Sequence, residues 1–226
     1  MAIKRYTANA DNTITNSFKS DTKTRATGSN MGASDILEVF SIYGQSVSGS
    51  AQAKTTELSR VLVNFPITSL VTDRTNADIP ASGSVSFYLR MFNAEHGSSV
   101  PSSFTLSASA VTSDWEEGFG LDMEGYRDIT RDGVGSSWTD TKTGGNWSRP
   151  GGDYDYDGTK SCFEQTFTKG TEDLEIDVTT LVEQWMHSGG NVLGDKSSAR
   201  YGIGLFLTGT QEGKYDSTEQ TNGRLH

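Results

Sequence analysis

"LSRVLVNFPI", residues 58–67, places Val61, Val63 and Phe65 on one side of an extended chain and Leu62 and Asn64 on the other. Successive side chains of a strand point to opposite faces, so this period-two run of β-branched and aromatic residues reads as a strand. Pro66 has no N–H to offer a ladder and ends it. Toward the N-terminus, GQSVSGSAQAKTTE (44–57) is rich in Gly, Ser and Ala and reads as a loop. Before it, SDILEVFSIYG (34–44) carries Ile36, Val39, Phe40, Ile42 and Tyr43 and reads as a strand. Toward the C-terminus, SGSVSFYLRMFNAEH (82–96) sets Val85, Phe87, Leu89 and Met91 against Ser84, Ser86, Tyr88 and Arg90. SFTLSASAVTSDW (103–115) sets Phe104, Leu106, Ala108 and Ala110 against Ser and Thr. Both patterns predict half-buried strands with one dry face and one wet face.

FEQTFT (163–168), EDLEIDV (172–178) and YGIGLFLTG (201–209) add further strands. DVTTLVEQWMHSGG (177–190) is the one clear helix. Thr180 and Glu183 stand at capping-box spacing, Leu181, Val182 and Trp185 form an apolar stripe, and Gly189 and Gly190 stop it. About eight short strands and one short helix near 179–188 predict an all-β protein, an antiparallel β-sandwich of the jelly-roll kind. Residues 31–210 form that sandwich. The polar residues 1–30 read as an N-terminal arm or edge strand, with strand character at Thr13 to Phe18, and 211–226 read as a polar tail. Residues 116–160 have much Gly and Asp and little periodicity. They read as a long ordered loop anchored by Tyr126, Trp138 and Trp147.

Composition supports a turn-rich β protein: 33% hydrophobic residues and 25 glycines in 226 residues. With 19 Lys and Arg against 29 Asp and Glu, the net charge is −10 and no basic patch is visible, which argues against nucleic acid as a partner. A single cysteine, Cys162, excludes an intramolecular disulfide, and its setting among strand formers reads as a small buried hydrophobe. No run of eighteen apolar residues is present, so no membrane-spanning helix is expected. MAIKRYTANADNTITNSF (1–18) lacks the apolar core of a secretion signal, so the chain is expected to be made in the cytoplasm.

The sequence offers two sets of candidate site residues. GGDYDYDGTKSCFE (151–164) puts Asp153, Asp155 and Asp157 on alternate positions, follows them with Gly158 and ends on Glu164, the spacing of an EF-hand calcium loop. An EF-hand needs flanking helices. Pro150-Gly151-Gly152 cannot end one so close to the first ligand, the exiting FEQTFT is rich in β-formers, and the usual apolar loop position is Lys160. Two readings stay open: a Ca2+ loop on a β scaffold, built from those carboxylates, or a solvated acidic turn with Tyr154 and Tyr156 packed inward. Asp122, Glu124, Asp128 and Asp132 repeat the oxygen-rich chemistry nearby. Ca2+ is the only candidate cofactor, and none is required. Trp138, Trp147 and Tyr126 are the candidate glycan-stacking residues, because aromatic faces stack on sugar rings. Trp115 and Trp185 read as core anchors. Catalysis is not indicated. His96, His187 and His226 stand apart in sequence, and neither a nucleophile elbow nor H-E-x-x-H nor a phosphate loop occurs.

Five pieces of the chain, in order, resemble DNRLRE-type domains. NMGASDILEVF is similar to their opening N-x-G-x-x-x-x-L-x-V, SRVLVNFPITSL to R-A-L-L-x-F-D-L-S-x-I, and SVSFYLRMF to A-x-L-x-L-Y. VTSDWEEG resembles V-T-x-x-W-x-E, and IDVTTLVEQWMHSGGNVLG with YGIGLFL resembles the closing D-V-T-x-L-V-x-x-W segment and its strand. The resemblance covers about residues 28–208, and it departs where Phe65 is followed by Pro66 instead of Asp. It implies a jelly-roll module without catalysis, of the kind found in surface, adhesive and carbohydrate-associated proteins. The N-terminal stretch is similar to the arm of virion structural proteins of marine tailed phages, cyanophages in particular. That implies a non-enzymatic, multi-copy virion component, as capsid decoration or at the neck, tail or fibre. Its partners would be other virion subunits or copies of itself, with no nucleic acid and no membrane. The alternative is a carbohydrate-binding module for surface polysaccharide, at the cell surface or outside the cell.

Overall fold

The computed structural model describes residues 3–19, 24–48, 51–95, 103–121, 134–187, 200–212 and 224–225, of which 43–48, 51–56, 210 and 224–225 are described by backbone alone. Chain order gives β1 (Ala10–Thr15), β2 (Ser41–Ser48), β3 (Ala51–Asn64), α1 (Ile67–Thr75), β4 (Tyr88–Met91), β5 (Phe104–Val111), β6 (Asp140–Lys142) and β7 (Gly145–Asn146). There follow β8 (Tyr154–Asp155), β9 (Cys162–Phe167), β10 (Leu174–Asp177), α2 (Thr179–Met186), β11 (Ile203–Leu207), α3 (Gly209–Glu212) and β12 (Arg224–Leu225). The protein is mostly β, and its sheets are antiparallel, as a β-sandwich requires.

The quoted stretch is the second half of β3, the strand that organises the main sheet. β1 pairs with it from Thr15↔Ser59 to Ala10↔Asn64, and β11 pairs with Val61–Val63 on its opposite edge. β5 lies beyond β11 and carries both β9 and β8 on its far edge. Residues 10–15 of the polar N-terminus are therefore a paired strand of this sheet. Residues before them are strapped to α1, where the Lys4 ammonium lies 2.6 Å from Asp73 and the Tyr6 hydroxyl donates to the same carboxylate.

The alternation of β3, β5 and β11 sorts their side chains to two faces, and both faces are buried. On one, Val61, Val63, Ala108, Ala110, Ile203, Leu205 and Leu207 pack against a second layer made of the two-stranded β4–β10 sheet, α1 and α2. Leu89, Leu174, Ile176, Leu181, Val182 and Trp185 supply that layer. On the other, Leu62, Ile14, Val111 and Phe206 are covered by Trp115, Trp138, Trp147 and Tyr154 from the long loop region. The wet face expected for 103–115 is thus enclosed: Ser107 and Ser109 are buried. Small hydroxyls let the loop approach the sheet closely, and each finds a partner, Glu164 for Ser107 and the Asp155 carbonyl for Ser109.

Four local expectations are corrected. Residues 44–48 and 51–57, expected in a loop, are strand: β2 and β3 form an antiparallel ribbon with eight paired positions, Ser41↔Leu58 to Ser48↔Ala51. Mutual pairing overrides the weak strand propensity of Ala, Ser and Gln. The preceding strand begins only at Ser41; Leu37, Val39 and Phe40 are packed but lie outside it. A second short helix, α1, starts directly after Pro66. Its Ile67 and Leu70 are buried, and its Thr, Val and Ile content, poor for helices, disguises it. In α2 the Thr180–Glu183 capping box does not form. Asp177 accepts from the Thr179 N–H at 2.9 Å, and Glu183 instead takes a bidentate pair from Arg74 of α1 at 2.8 and 2.9 Å.

Candidate functional site

The acidic loop is built from turns that use its carboxylates internally. Asp153 accepts from the Ser148 N–H at 2.9 Å, the Arg149 N–H at 3.2 Å and the Ser113 hydroxyl at 2.7 Å. Burial pushes its carboxyl up, and these donors outweigh that and hold it below the ordinary carboxylate range. Asp155 accepts from the Asp157 N–H, and Asp157 accepts from the N–H and hydroxyl of Thr159 at 2.9 and 2.6 Å. The Asp157 carbonyl gathers the N–H groups of Lys160, Ser161 and Cys162. Glu164 stands on β9 and accepts from the Ser107 hydroxyl at 3.4 Å. Among the described residues no group of three or more His, Cys, Asp or Glu side chains is placed to hold a metal ion.

The two loop tryptophans are interior. Trp138 and Trp147 are 8% and 5% exposed, so neither presents a ring face for stacking on a sugar. The Trp147 indole N–H donates to the Ser137 carbonyl at 2.8 Å and that of Trp115 to the Tyr201 carbonyl at 2.7 Å. They pin the loop to the sheet, as Trp115 also does, while Trp185 anchors the other core. Tyr126, with Asp122, Glu124, Asp128, Asp132, His96 and His226, lies outside the described residues. His187 is exposed at the end of α2. Cys162 is half-buried, not enclosed, and burial pushes its thiol up.

Polar residues that sequence reasoning passed over lock this layer. Asn30 donates to the Glu117 and Ser136 carbonyls at 2.6 and 2.8 Å and accepts from the Gly32 and Gly120 N–H groups. Asn12 donates to Ser136 and accepts from the Met31 N–H. A Cβ at Gly120 would overlap the Asn30 carbonyl, and Gly118, at φ +83°, leaves no room against the Asn30 amide. Arg60 sits among Trp138, Tyr154 and Phe206, its guanidinium 5.2–5.6 Å from the three ring centres. It makes a bidentate pair with Glu212 at 2.6 and 2.9 Å and donates to the Gly151 carbonyl at 2.8 Å. Burial opposes its charge, but the Glu212 carboxylate more than compensates, so the guanidinium is held firmly protonated. An Arg within a β-strand followed by apolar alternation was the one available signal for this centre.

The acidic-turn reading has Tyr154 and Tyr156 both packed inward. Only Tyr154 is. Tyr156 is 60% exposed, its ring 6.0 Å from Phe206 and 6.3 Å from Tyr154 in edge contacts. It borders a cleft of about 780 Å³ along β9, lined also by Ser107, Glu164, Gln165 and Glu175.

No helix among the described residues is long and apolar enough to cross a membrane. Compared with known protein families, with curated proteins and with solved structures, the chain finds no match.

Proposed function

We propose that this chain is a non-enzymatic structural and interaction protein, a multi-copy virion component of the DNRLRE-like sandwich kind. The observation that carries this reading is the way the long loop is closed. Its tryptophans are buried, its aspartates cap turns, and Asn12 and Asn30 stitch it to β1 and to the segment before β2. Such a layer makes a rigid block in place of an open reaction chamber. The same contacts bring the NMG piece (Asn30, Gly32) and the WEEG piece (Glu117, Gly118) directly together. Beyond the body, residues 43–48 and 51–56 pair only with each other among the described residues, leaving strand edges that a neighbouring subunit can extend. The acidic balance, −10, fits protein partners and disfavours nucleic acid.

The test is native mass spectrometry of the purified chain at micromolar concentration, beside a variant in which residues 44–57 are replaced by a short Gly-Ser turn. A defined oligomer that falls to monomer in the variant supports the reading. A monomer in both, with no association with virion proteins on co-expression, overturns it. A second reading, a carbohydrate-binding module at a cell or particle surface, is favoured by one observation, the exposed Tyr156 ring beside its cleft.

A further inference from the structure

We infer that the cleft along β9 is a binding site for a neutral saccharide, with Tyr156 as the stacking face. The inference rests on the glycan-binding reading and places its site away from the buried tryptophans. Strand register aligns its floor. Phe206 of β11 stands opposite Ser107 of β5, and Ser107 stands opposite Glu164 of β9, so the three form one row on the loop-facing side of the sheet. Thr105 and Thr166 form the next row on that face, their hydroxyls 2.9 Å apart. Rows two residues apart lie roughly 7 Å from one another and neighbouring strands about 4.8 Å apart, so the two rows together span about the width of one sugar residue. Here the tryptophan layer stops: Glu164 and Thr166 are exposed, whereas Ser109, two residues further along β5, is fully covered.

The chemistry of the lining matches a sugar. Tyr156 offers an apolar ring face, and its edge contacts to Phe206 and Tyr154 hold the ring in place before any ligand arrives. Glu164 has acceptor capacity left over, its one hydrogen bond among the described residues being the long one from Ser107. A carboxylate accepts from adjacent hydroxyls of a saccharide, and the hydroxyl of Thr208, which lines the cleft, both donates and accepts. Glu175, paired with Arg90 at 2.9 Å, and Asp177 also line the cleft, so with Glu164 and Asp177 uncompensated among the described residues an anionic sugar such as a uronate would meet like charge in a chain already at −10. The class selected is therefore a neutral hexose polymer.

Affinity electrophoresis in gels cast with laminarin, with galactomannan or with alginate tests this. The expected result is retardation of the wild-type chain by a neutral polysaccharide and not by alginate. Tyr156→Ala should weaken it about tenfold, and the near-isosteric Glu164→Gln should weaken it severalfold. Tyr88→Ala, at an exposed aromatic on β4, should change nothing, and melting curves of all three variants should match wild type. No retardation in either neutral gel overturns both the site and the glycan-binding reading. Retardation that survives Tyr156→Ala and Glu164→Gln unchanged overturns the site and leaves that reading standing. Retardation by alginate alone overturns the neutral class.

Discussion

Trp138 carries two competing accounts of one side chain, a sugar platform and a pin for the loop, and its burial separates them. Trp138→Ala should lower stability by about 3–5 kcal/mol, as expected for a large aromatic removed from a packed core. Chemical denaturation measures this, and a loss below about 1 kcal/mol would contradict the burial. Glu172 gives a residue-scale prediction in pH. The Lys169 and Thr168 N–H groups and the Thr168 hydroxyl all donate to it, and they pull its carboxyl down to about 2. A depressed carboxyl stabilises the folded turn at pH above the ordinary glutamate value, and that contribution is lost as pH falls toward about 2. A carboxyl-carbon NMR titration should place the Glu172 midpoint there, and an ordinary midpoint would show that the turn does not hold it. Tryptophan burial of this kind was half legible. The sequence marks aromatic anchors in the loop, but which ring faces water depends on how the loop folds back over the sheet, and no local pattern encodes that.

At the scale of elements, the strands with clean alternation were legible from period two alone, because β3, β5 and β11 each bury one full face against the second layer and β10 buries one face against them. The hairpin of β2 and β3 was not, since its pairing depends on a partner eight positions long and not on its own residues. α1 was hidden for a related reason: its buried Ile67 and Leu70 and its ion pair to α2 stabilise a segment whose propensities point to strand. That ion pair is open to test. Arg74 and Glu183 are about one-fifth exposed, and the Arg74 side chain joins two helices distant in sequence. A double-mutant cycle of Arg74→Ala and Glu183→Ala should return a coupling of about 1–2 kcal/mol, above that of a surface pair. Coupling near zero would mean the helices hold together by Leu70, Leu181 and Trp185 alone.

For the whole molecule, the centre of gravity of the loop layer is Arg60, which reaches from β3 to Gly151 in the loop and to Glu212 at the end of α3. Arg60→Ala would leave the Glu212 carboxylate buried without its partner, so a destabilisation of about 3–5 kcal/mol is expected. Limited proteolysis should then cut first within 148–153 and around 212, and intact loops would place the closure elsewhere. The sandwich class was legible because it follows from pattern summed over the chain, whereas the enclosure of both faces was not, because it depends on side chains more than eighty residues apart, such as Asn30 and Glu117. Mechanically, β3 is one unbroken strand from the tip of the hairpin to the middle of the main sheet, gripped there by β1 on one side and β11 on the other. A pull on the hairpin runs along that strand and loads its flanking ladders in shear, all rungs together and none first. The paired ribbon is thus a handle on the core, because the strand that forms half of it continues into the main sheet.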